Sequence, residues 1–172
     1  STGRENRTIN ASSAEFKGVE LDLTARLFDG FTLSGNMGYL DAKYKDFFGD
    51  IYSTGTPVDA SFLKIRRAPK WTWSLGGIYE AAIGNNASAW IAGDVHYIGG
   101  HEITFLNNPN LRNSGQYLVD ASINARFNQT TVSLFGKNLA NEKGWTIGYD
   151  VQGVWSYAAP RPRRTWRGVA PH

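Results

Sequence analysis

Residues 18–39, GVELDLTARLFDGFTLSGNMGY, decide the fold of this chain. Apolar and polar residues alternate one by one through the first half, which is the period of a strand with one apolar face and not that of a helix. Asp29-Gly30 then provides a dipeptide that tolerates positive φ in a tight turn, and the alternation resumes behind it. This pattern predicts a hairpin of two strands of about nine or ten residues each, close to the length that a tilted strand needs to cross a bilayer.

The composition also favours strands and turns. Aromatic residues make up 13% of the 172 residues and glycine occurs 19 times, a mixture typical of β-proteins. No window approaches the roughly eighteen consecutive apolar residues of a transmembrane helix, so we expect any contact with a membrane to be made by strands. Cysteine is absent, which excludes disulfides and thiolate metal sites. The net charge is +3, and the basic residues are scattered along most of the chain. We therefore expect no nucleic-acid partner.

The same alternation continues along the chain. It predicts strands at about 16–27, 31–43, 70–83, 88–98, 116–127 and 130–139, and a partial seventh strand near the end. The three connections 43–69, 99–115 and 140–161 lack the alternation and are predicted to be long loops. Between them the strands are joined by short turns, at Asp29-Gly30, at residues 84–86 and at Asn128-Gln129.

Short and long connections therefore alternate along the chain. Outer-membrane barrels have short periplasmic turns and long extracellular loops, whereas a soluble sandwich has no reason to sort its loops in this way. We predict an all-β fold, an antiparallel up-and-down meander of a transmembrane β-barrel, either a partial barrel or a small closed barrel of about eight strands. Residues 1–172 would form one barrel segment, with 1–14 as a loop or frayed strand.

Aromatic residues mark both ends of the apolar strand faces. A girdle of Tyr and Trp is predicted at the loop end, and a second belt near the short turns. Eight to ten residues separate the two levels, which at about 3.3 Å per residue and a tilt near 40° spans roughly 20 to 25 Å, the height of the apolar band of such a barrel. The alternative is that the apolar face packs on a soluble core. The girdle residues are Tyr39, Trp71, Tyr97 and Tyr117 at the loop end, and Phe31, Tyr79 and Phe127 near the turns.

Four stretches, in this order, carry a family resemblance. They are residues 10–23 (NASSAEFKGVELDL), the Asp29-Gly30 turn with its strand ending in 38–44 (GYLDAKY), residues 67–71 (RAPKW) and residues 133–142 (SLFGKNLANE). Together they resemble the C-terminal barrel strands of TonB-dependent outer-membrane receptors, over about residues 10–160. The resemblance implies a place in the bacterial outer membrane and active uptake of a scarce ligand, such as a ferric siderophore, cobalamin or a sugar oligomer, driven through TonB.

The sequence departs from that family in two ways. Family barrels have about twenty-two strands and an N-terminal plug with the TonB box, whereas this sequence holds six or seven candidate strands and no plug. We therefore expect a fragment of a receptor or a small barrel derived from one, with TonB acting only through a plug absent here. Family members usually end in a strand with a terminal aromatic, whereas residues 162–172 form an atypical tail. The implied partners are outer-membrane lipid, the barrel-assembly machinery and a transported ligand of unknown identity.

Catalytic chemistry is not expected. No nucleophile elbow and no convincing acid/base pair is present. His96 lies two residues from Asp94, and His101 adjoins Glu102; a lumen lined by polar residues explains both pairs better than a metal site does. We therefore expect neither an enzyme nor a bound metal or cofactor.

Aromatic residues in the long loops are the candidates for ligand contact, because aromatic surfaces bind sugars and siderophore rings with little loss of entropy. The alternative is that they pack the loops on each other. Two rival functions also stay open: an autonomous small outer-membrane barrel for anchoring or adhesion, and a soluble β-sandwich that binds a ligand. The candidate residues are Phe47, Phe48, Tyr52, Phe105, Trp145, Tyr149, Trp155 and Tyr157.

Overall fold

The computed structural model describes residues 13–52, 54–151, 155–160 and 165–169, the main chain alone for 150–151, 155–159 and 165–169. None of the described helical segments is long and apolar enough to cross a membrane. The one described helical segment is the 3-10 turn Pro109–Leu111. The strands are β1 (Ser13–Phe28), β2 (Phe31–Asp46), β3 (Phe48–Gly49), β4 (Val58–Asp59), β5 (Trp71–Gly84), β6 (Ala87–Ile98), β7 (His101–Glu102), β8 (Arg112–Asn113), β9 (Gln116–Phe127), β10 (Thr130–Lys137), β11 (Trp145–Val151), β12 (Trp155–Pro160) and β13 (Thr165–Val169).

Seven strands form one antiparallel sheet in the order β1-β2-β5-β6-β9-β10-β13. Each strand of this sheet pairs with the next strand of the same sheet along the chain, and the strands between them form small sheets of their own. The sheet is therefore an up-and-down meander, and the predicted fold class is confirmed. Among the described residues, β1 pairs only with β2, and β13 pairs only with β10. The described sheet is therefore open, which agrees with the partial barrel and not with the small closed barrel of the two predicted forms.

The first hairpin turn depends on Gly30. Its φ of 82° lies in the left-handed region, which glycine adopts without the clash that a Cβ would cause. A Cβ at this position would also meet the carbonyl oxygen of Glu80 on β5, and the Gly30 carbonyl accepts a hydrogen bond of 2.8 Å from the Glu80 N–H. This turn therefore joins β1 to β2 and docks on the neighbouring strand as well.

The long connections contain more secondary structure than the sequence predicted. β2 continues to Asp46, three residues beyond its predicted end. Two-stranded sheets form inside each connection: β3-β4, β7-β8 and β11-β12. The prediction of loops without strands is wrong in this respect. β3, β4, β7 and β8 have two residues each and are too short to show an alternating pattern. β11 and β12 have seven and six residues, and the alternation of Trp145, Ile147, Tyr149 and Val151 in β11 was not recognised. Ser13 and Ala14 belong to β1, and residues 1–12 lie outside the described part of the chain.

The main sheet has two faces of opposite character. Leu21 pairs with Met37, and we call the face that carries these two side chains the outer face. Asp22 pairs with Asn36 in the adjacent row, and we call their face the inner face. On β1 the large apolar side chains of the outer face are exposed in this structure, from 58% at Leu23 to 70% at Val19. Soluble proteins do not leave an apolar surface of this extent uncovered without a partner.

This polarity reverses near the ends of β1 and β2 that lie beside the long loops. Val19 pairs with Tyr39 in the last apolar row of the outer face, and Lys17 pairs with Asp41 in the next outer row. Beyond that row the outer face is charged. The inner face carries Leu40, Ala42 and Tyr44 at the same height. The apolar band of the outer face therefore ends sharply between two adjacent rows.

Candidate ligand-binding loops

Three long loops lie at one end of the sheet: the first loop (residues 47–70), the second loop (99–115) and the third loop (138–164, described at 138–151 and 155–160). The first loop has a core of its own, formed by Phe47, Ile51, Ala60 and Leu63, which are buried to 7% exposure or less. The Ala60 N–H donates to the Phe47 carbonyl at 2.7 Å. The Ser61 N–H donates to Asp59 Oδ1 at 2.9 Å, and this main-chain hydrogen bond lowers the pKa of Asp59.

The second loop packs onto this core. The ring of Phe105 meets that of Phe47 edge-on, with centroids 5.6 Å apart, and Tyr44 at the end of β2 approaches the same ring at 4.9 Å. Asn107 Oδ1 accepts from the Lys64 N–H at 2.6 Å, and Asn107 Nδ2 donates to the Lys64 carbonyl at 3.0 Å. The first two loops therefore form one unit on the inner side of β2, where Tyr44 projects.

Glu102 is an ionic centre between these loops. Its side chain is 6% exposed, and its Oε1 lies 3.3 Å from Arg112 Nε and 3.8 Å from Lys64 Nζ. A buried carboxylate is tolerated only when cations or hydrogen bonds compensate its lost hydration. The Glu102 carbonyl also accepts from the Arg67 N–H at 2.8 Å. Glu102 thus connects the first loop to both short strands of the second loop.

The third loop docks through its main chain. The Trp145 N–H donates to Asn113 Oδ1 at 2.8 Å, and Asn113 Nδ2 donates to the Trp145 carbonyl at 2.9 Å. Gln116, which is 1% exposed, donates from Nε2 to the Lys143 carbonyl at 2.6 Å. Arg67 Nη2 donates to the Thr146 carbonyl at 3.3 Å. Side chains of the first and second loops thereby hold β11 in place.

Two cavities lie between these loops. The first, of about 470 Å³, is bounded by β2 and the first and second loops, and the second, of about 480 Å³, by the second and third loops. Three cations contribute to the wall of the first cavity, against the carboxylate of Glu102; Asp41 and Lys43 also border it, but their side chains pair with each other at 2.7 Å on the outer face. An exposed aromatic ring joins the three cations. The basic and aromatic residues along this wall are Lys64, Lys70, Arg112, His101 and Phe62.

The candidate ligand contacts differ in accessibility. Phe47 is 1% exposed and forms the centre of the loop core, so its ring packs the loops and offers no surface to a ligand. Phe105 is half-buried against it. Phe48, Tyr52, Trp145 and Tyr149 remain exposed, between 37% and 66%. The side chains of Trp155 and Tyr157 lie outside the described part of the structure.

Sequence reasoning left out the basic residues of the first cavity and Phe62, which is 68% exposed. The lysines and arginines are scattered in sequence, and only the folded loops bring them together. Phe62 stood among several aromatic residues of one loop. Nothing in the pattern distinguished it from the others.

The predicted girdle residues occupy two adjacent rows and not one. Tyr39 pairs with Trp71, and their ring centroids are 4.8 Å apart. Tyr97 pairs with Tyr117 in the next row, at 4.8 Å, and stacks on Trp73 at 5.7 Å. Trp73, absent from the prediction, therefore lies at the centre of the cluster.

Near the short turns the predicted belt is also spread over more than one row. Phe31 pairs with Tyr79. Tyr79 pairs with Ile91 on β6, whereas Phe127 pairs with Ala87 on the same strand. Phe127 therefore lies four residues nearer the turns than Tyr79. Phe28, which stacks on Phe31 with ring centroids 5.0 Å apart, extends this belt.

The two histidines in the described part of the chain, His96 and His101, are engaged in local contacts. His96 Nε2 lies 2.8 Å from Asp94 Oδ2 on the inner face. His101 Nδ1 lies 2.9 Å from the Gly99 carbonyl and its Nε2 lies 3.2 Å from Asn113 Nδ2, so the Nδ1–H tautomer satisfies both contacts. In the part of the chain that the structure describes, no three His, Cys, Asp or Glu side chains are grouped to hold a metal.

A family model described as "TonB dependent receptor-like, beta-barrel" matches residues 1–139. The chain belongs to the TonB-dependent receptor family. In structure it is similar to the ferric yersiniabactin uptake receptor FyuA of Yersinia pestis, with a TM-score of 0.72 and 20% sequence identity over 90% of this chain. The chain spans 22% of the length of that receptor. Proteins of the family are receptors and transporters of the bacterial outer membrane, not a class of enzymes, and they engage TonB through the plug.

Proposed function

We propose that this chain forms part of the barrel wall and three extracellular loops of a receptor for the active uptake of a scarce ligand across the bacterial outer membrane. The outer face would meet lipid, the inner face would line the lumen, and TonB would act through a plug elsewhere in the receptor. The observation that carries the proposal is the joining of three loops, by side chain to main-chain hydrogen bonds, over cavities at one end of a membrane-type meander.

The chemistry of the first cavity favours one of the three ligand classes. Lys64, Lys70 and Arg112, against the one carboxylate of Glu102, give it an excess of positive charge beside the exposed ring of Phe62. Such a surface suits an anionic ligand with aromatic or planar groups, because the cations attract carboxylates and phenolates and the ring can stack on conjugated groups. We propose an anionic ferric chelate of the siderophore class, ahead of cobalamin or an oligosaccharide. The iron-chelate cargo of FyuA is consistent with this choice.

Uptake in cells tests the proposal. A strain that lacks the receptor containing this chain would be supplied with the wild-type gene, and uptake of 55Fe-labelled siderophores, labelled cobalamin and labelled maltooligosaccharides would be measured with active and inactive TonB. We expect uptake of an anionic ferric siderophore that depends on TonB. Uptake of only a neutral oligosaccharide would contradict the choice of ligand class, and no uptake of any ligand would contradict the proposed function.

A paired variant tests the cavity. Lys64→Gln/Lys70→Gln removes two of its cations, and we expect a raised KM for uptake because the anionic ligand loses two attractive charges. Lys17→Gln/Lys137→Gln removes the same charge outside both cavities and should leave KM unchanged. Equal effects of the two pairs would contradict a role of the first cavity in binding.

A further inference from the structure

A continuous chain of hydrogen bonds runs from the main sheet to the third loop. The Gly99 N–H donates to the Trp71 carbonyl on β5 at 2.8 Å. The Gly99 carbonyl lies 2.9 Å from His101 Nδ1, and His101 Nε2 lies 3.2 Å from Asn113 Nδ2. The side chain of Asn113 then bonds the main chain of Trp145. We call Gly99, His101, Asn113 and Trp145 the docking network.

The main chain of Trp145 fixes the direction of the hydrogen bonds in the docking network. A main-chain N–H only donates and a carbonyl only accepts, so the Trp145 N–H, at 2.8 Å, faces Oδ1 of Asn113, and the Trp145 carbonyl, at 2.9 Å, faces Nδ2. The remaining N–H of Asn113 Nδ2 faces His101 Nε2, which must accept it. An imidazole that accepts at Nε2 and donates from Nδ1 to the Gly99 carbonyl is neutral. The docking network therefore requires an uncharged His101.

Protonation of His101 places two donors against each other. An imidazolium carries a hydrogen on both ring nitrogens. Its Nδ1–H still donates to the Gly99 carbonyl, which keeps the ring in place, so the new Nε2–H faces the amide hydrogens of Asn113. Asn113 is 3% exposed, and a buried donor without an acceptor is costly. Rotation of the amide to offer Oδ1 to His101 would break both hydrogen bonds to Trp145, so docking of the third loop weakens in either case.

Charged side chains lie around His101 on the walls of both cavities. Glu102, its neighbour in sequence, is already paired with Arg112 and Lys64. Its carboxylate is therefore compensated without an imidazolium. Asp41 and Lys43 pair with each other. The charged residues near His101 are Asp41, Lys43, Lys64, Lys70, Glu102 and Arg112 around the first cavity, and Arg112, Glu142 and Lys143 around the second.

We propose that the docking network is a pH-sensitive switch that holds the third loop while His101 is neutral and releases the loop when His101 is protonated. Imidazole is the side chain that changes its charge between about pH 8 and about pH 5. Gln116 and Arg67 also bond the third loop, but neither titrates in this range. The released loop binds one proton more than the docked loop, so docking strengthens as the pH rises.

Release of the third loop would change the second cavity, because Trp145 forms part of the wall between the second and third loops. Docking of the loop does not depend on the proposed function. Its consequence for ligand uptake does rest on that function. The two are therefore tested by separate measurements.

Hydrogen exchange of the detergent-solubilised receptor, without ligand, tests the switch at about pH 7.5 and about pH 5.5. The quantity measured is the protection factor in fragments that contain Trp145, which corrects for the intrinsic dependence of exchange on pH. An imidazole in the released loop titrates near pH 6.5. If the docked loop excludes the imidazolium, the docking equilibrium falls about tenfold between the two pH values. We expect the same fall in protection, and an unchanged protection factor would overturn the proposal.

The two described histidines offer matched variants. His101→Gln supplies an amide oxygen that accepts from Asn113 and does not titrate, so protection of Trp145 should be equal at both pH values. His96→Gln removes the imidazole that pairs with Asp94 on the inner face and should retain the tenfold fall. A tenfold fall in His101→Gln, or its loss in His96→Gln, would overturn the proposal.

Asn113→Asp separates the switch from a general loss of docking. One carboxylate oxygen still accepts from the Trp145 N–H, and the other accepts from a protonated His101. The same oxygen faces the Trp145 carbonyl, so protection should be lower than in the wild type at both pH values. It should nevertheless increase as the pH falls, which is the reverse of the wild type. A decrease with falling pH in this variant would contradict the assigned directions of the hydrogen bonds.

Uptake separates the switch from the proposed function. We expect the KM for the ferric siderophore to rise at the lower pH in the wild type more than in His101→Gln. Absence of uptake by the wild type would contradict the proposed function and not the switch, because exchange is measured without ligand. Protection of Trp145 that does not depend on pH would contradict the switch and not the proposed function.

Discussion

Leu23→Arg tests the placement of the outer face in lipid. Leu23 lies midway along the apolar part of β1, four residues from Val19 on one side and four from Leu27 on the other. It pairs with Gly35, which offers no side chain to shield a guanidinium. An arginine here would be near the midplane of the bilayer, where the expected cost is about 2–4 kcal/mol. In water the change would be nearly neutral, because Leu23 is 58% exposed in the isolated sheet.

Two neighbouring positions calibrate this value. Thr24→Arg places the same side chain on the inner face, and we expect a change within about 0.5 kcal/mol. Val19→Arg lies in the last apolar row and should cost about 0–1 kcal/mol, since the penalty falls towards the interface. The three variants therefore predict a ranking as well as a magnitude.

The assay is the free energy of unfolding of the receptor in phospholipid vesicles, followed by tryptophan fluorescence against guanidinium concentration. Vesicles of shorter acyl chains should lower the cost of Leu23→Arg, because water then lies closer to the site, whereas a soluble protein core would show no dependence on lipid thickness. Equal free energies for Leu23→Arg and Thr24→Arg would refute the assignment of the two faces.

Three further substitutions test local features of the fold. Phe47→Ala should open a cavity in the loop core and cost about 3–5 kcal/mol of local stability, measured by hydrogen exchange of the first loop, whereas Phe48→Ala, at 66% exposure, should leave exchange unchanged. Gly30→Ala should lower the stability of the receptor more than Gly55→Ala, since both have positive φ but only the first Cβ meets a carbonyl; equal denaturation midpoints would contradict this. Asn113→Ala should remove two hydrogen bonds to the third loop and speed its exchange, at a cost of about 1–3 kcal/mol; unchanged exchange would show that the loop docks by other contacts.

The long strands could be predicted from the sequence because a period of two extends over ten or more residues in each of them. Pairing within each hairpin is restricted by its very short turn, since two residues leave almost no freedom in register. The resemblance of four stretches to one family was also sufficient to predict that family. These features depend on residues that are close together in the sequence, so they can be recognised before the structure is known.

The arrangement of the loops could not be predicted in the same way. Phe47 and Phe48 are neighbours of the same residue type, yet one is buried and the other exposed. Phe47 is buried by Ile51, Ala60 and Leu63 of its own loop and by Phe105 of the second loop, which is more than fifty residues away. The basic wall of the first cavity likewise combines residues from distant segments. Such long-range contacts leave no periodic trace in the sequence.

The end of the apolar band was present in the sequence but was not recognised. On β1 the odd positions change from charged at Lys17 to apolar at Val19. On β2 they change from aromatic at Tyr39 to charged at Asp41, and both strands continue past the change. Only the pairing of these residues across the hairpin shows that both changes fall at the same height. The rows then define a boundary on the outer face.

The most direct test of the outer-face assignment is a scan of β2 with nitroxide spin labels in the membrane-reconstituted receptor. This chain has no cysteine, so single cysteines from Phe31 to Lys45 can be labelled specifically once any outside this segment are replaced. We predict that odd positions up to Tyr39 are accessible to oxygen dissolved in lipid, that even positions are not, and that from Asp41 the odd positions become accessible to a water-soluble nickel complex. Odd positions between Phe31 and Tyr39 that are shielded from oxygen would contradict the placement of this face in lipid.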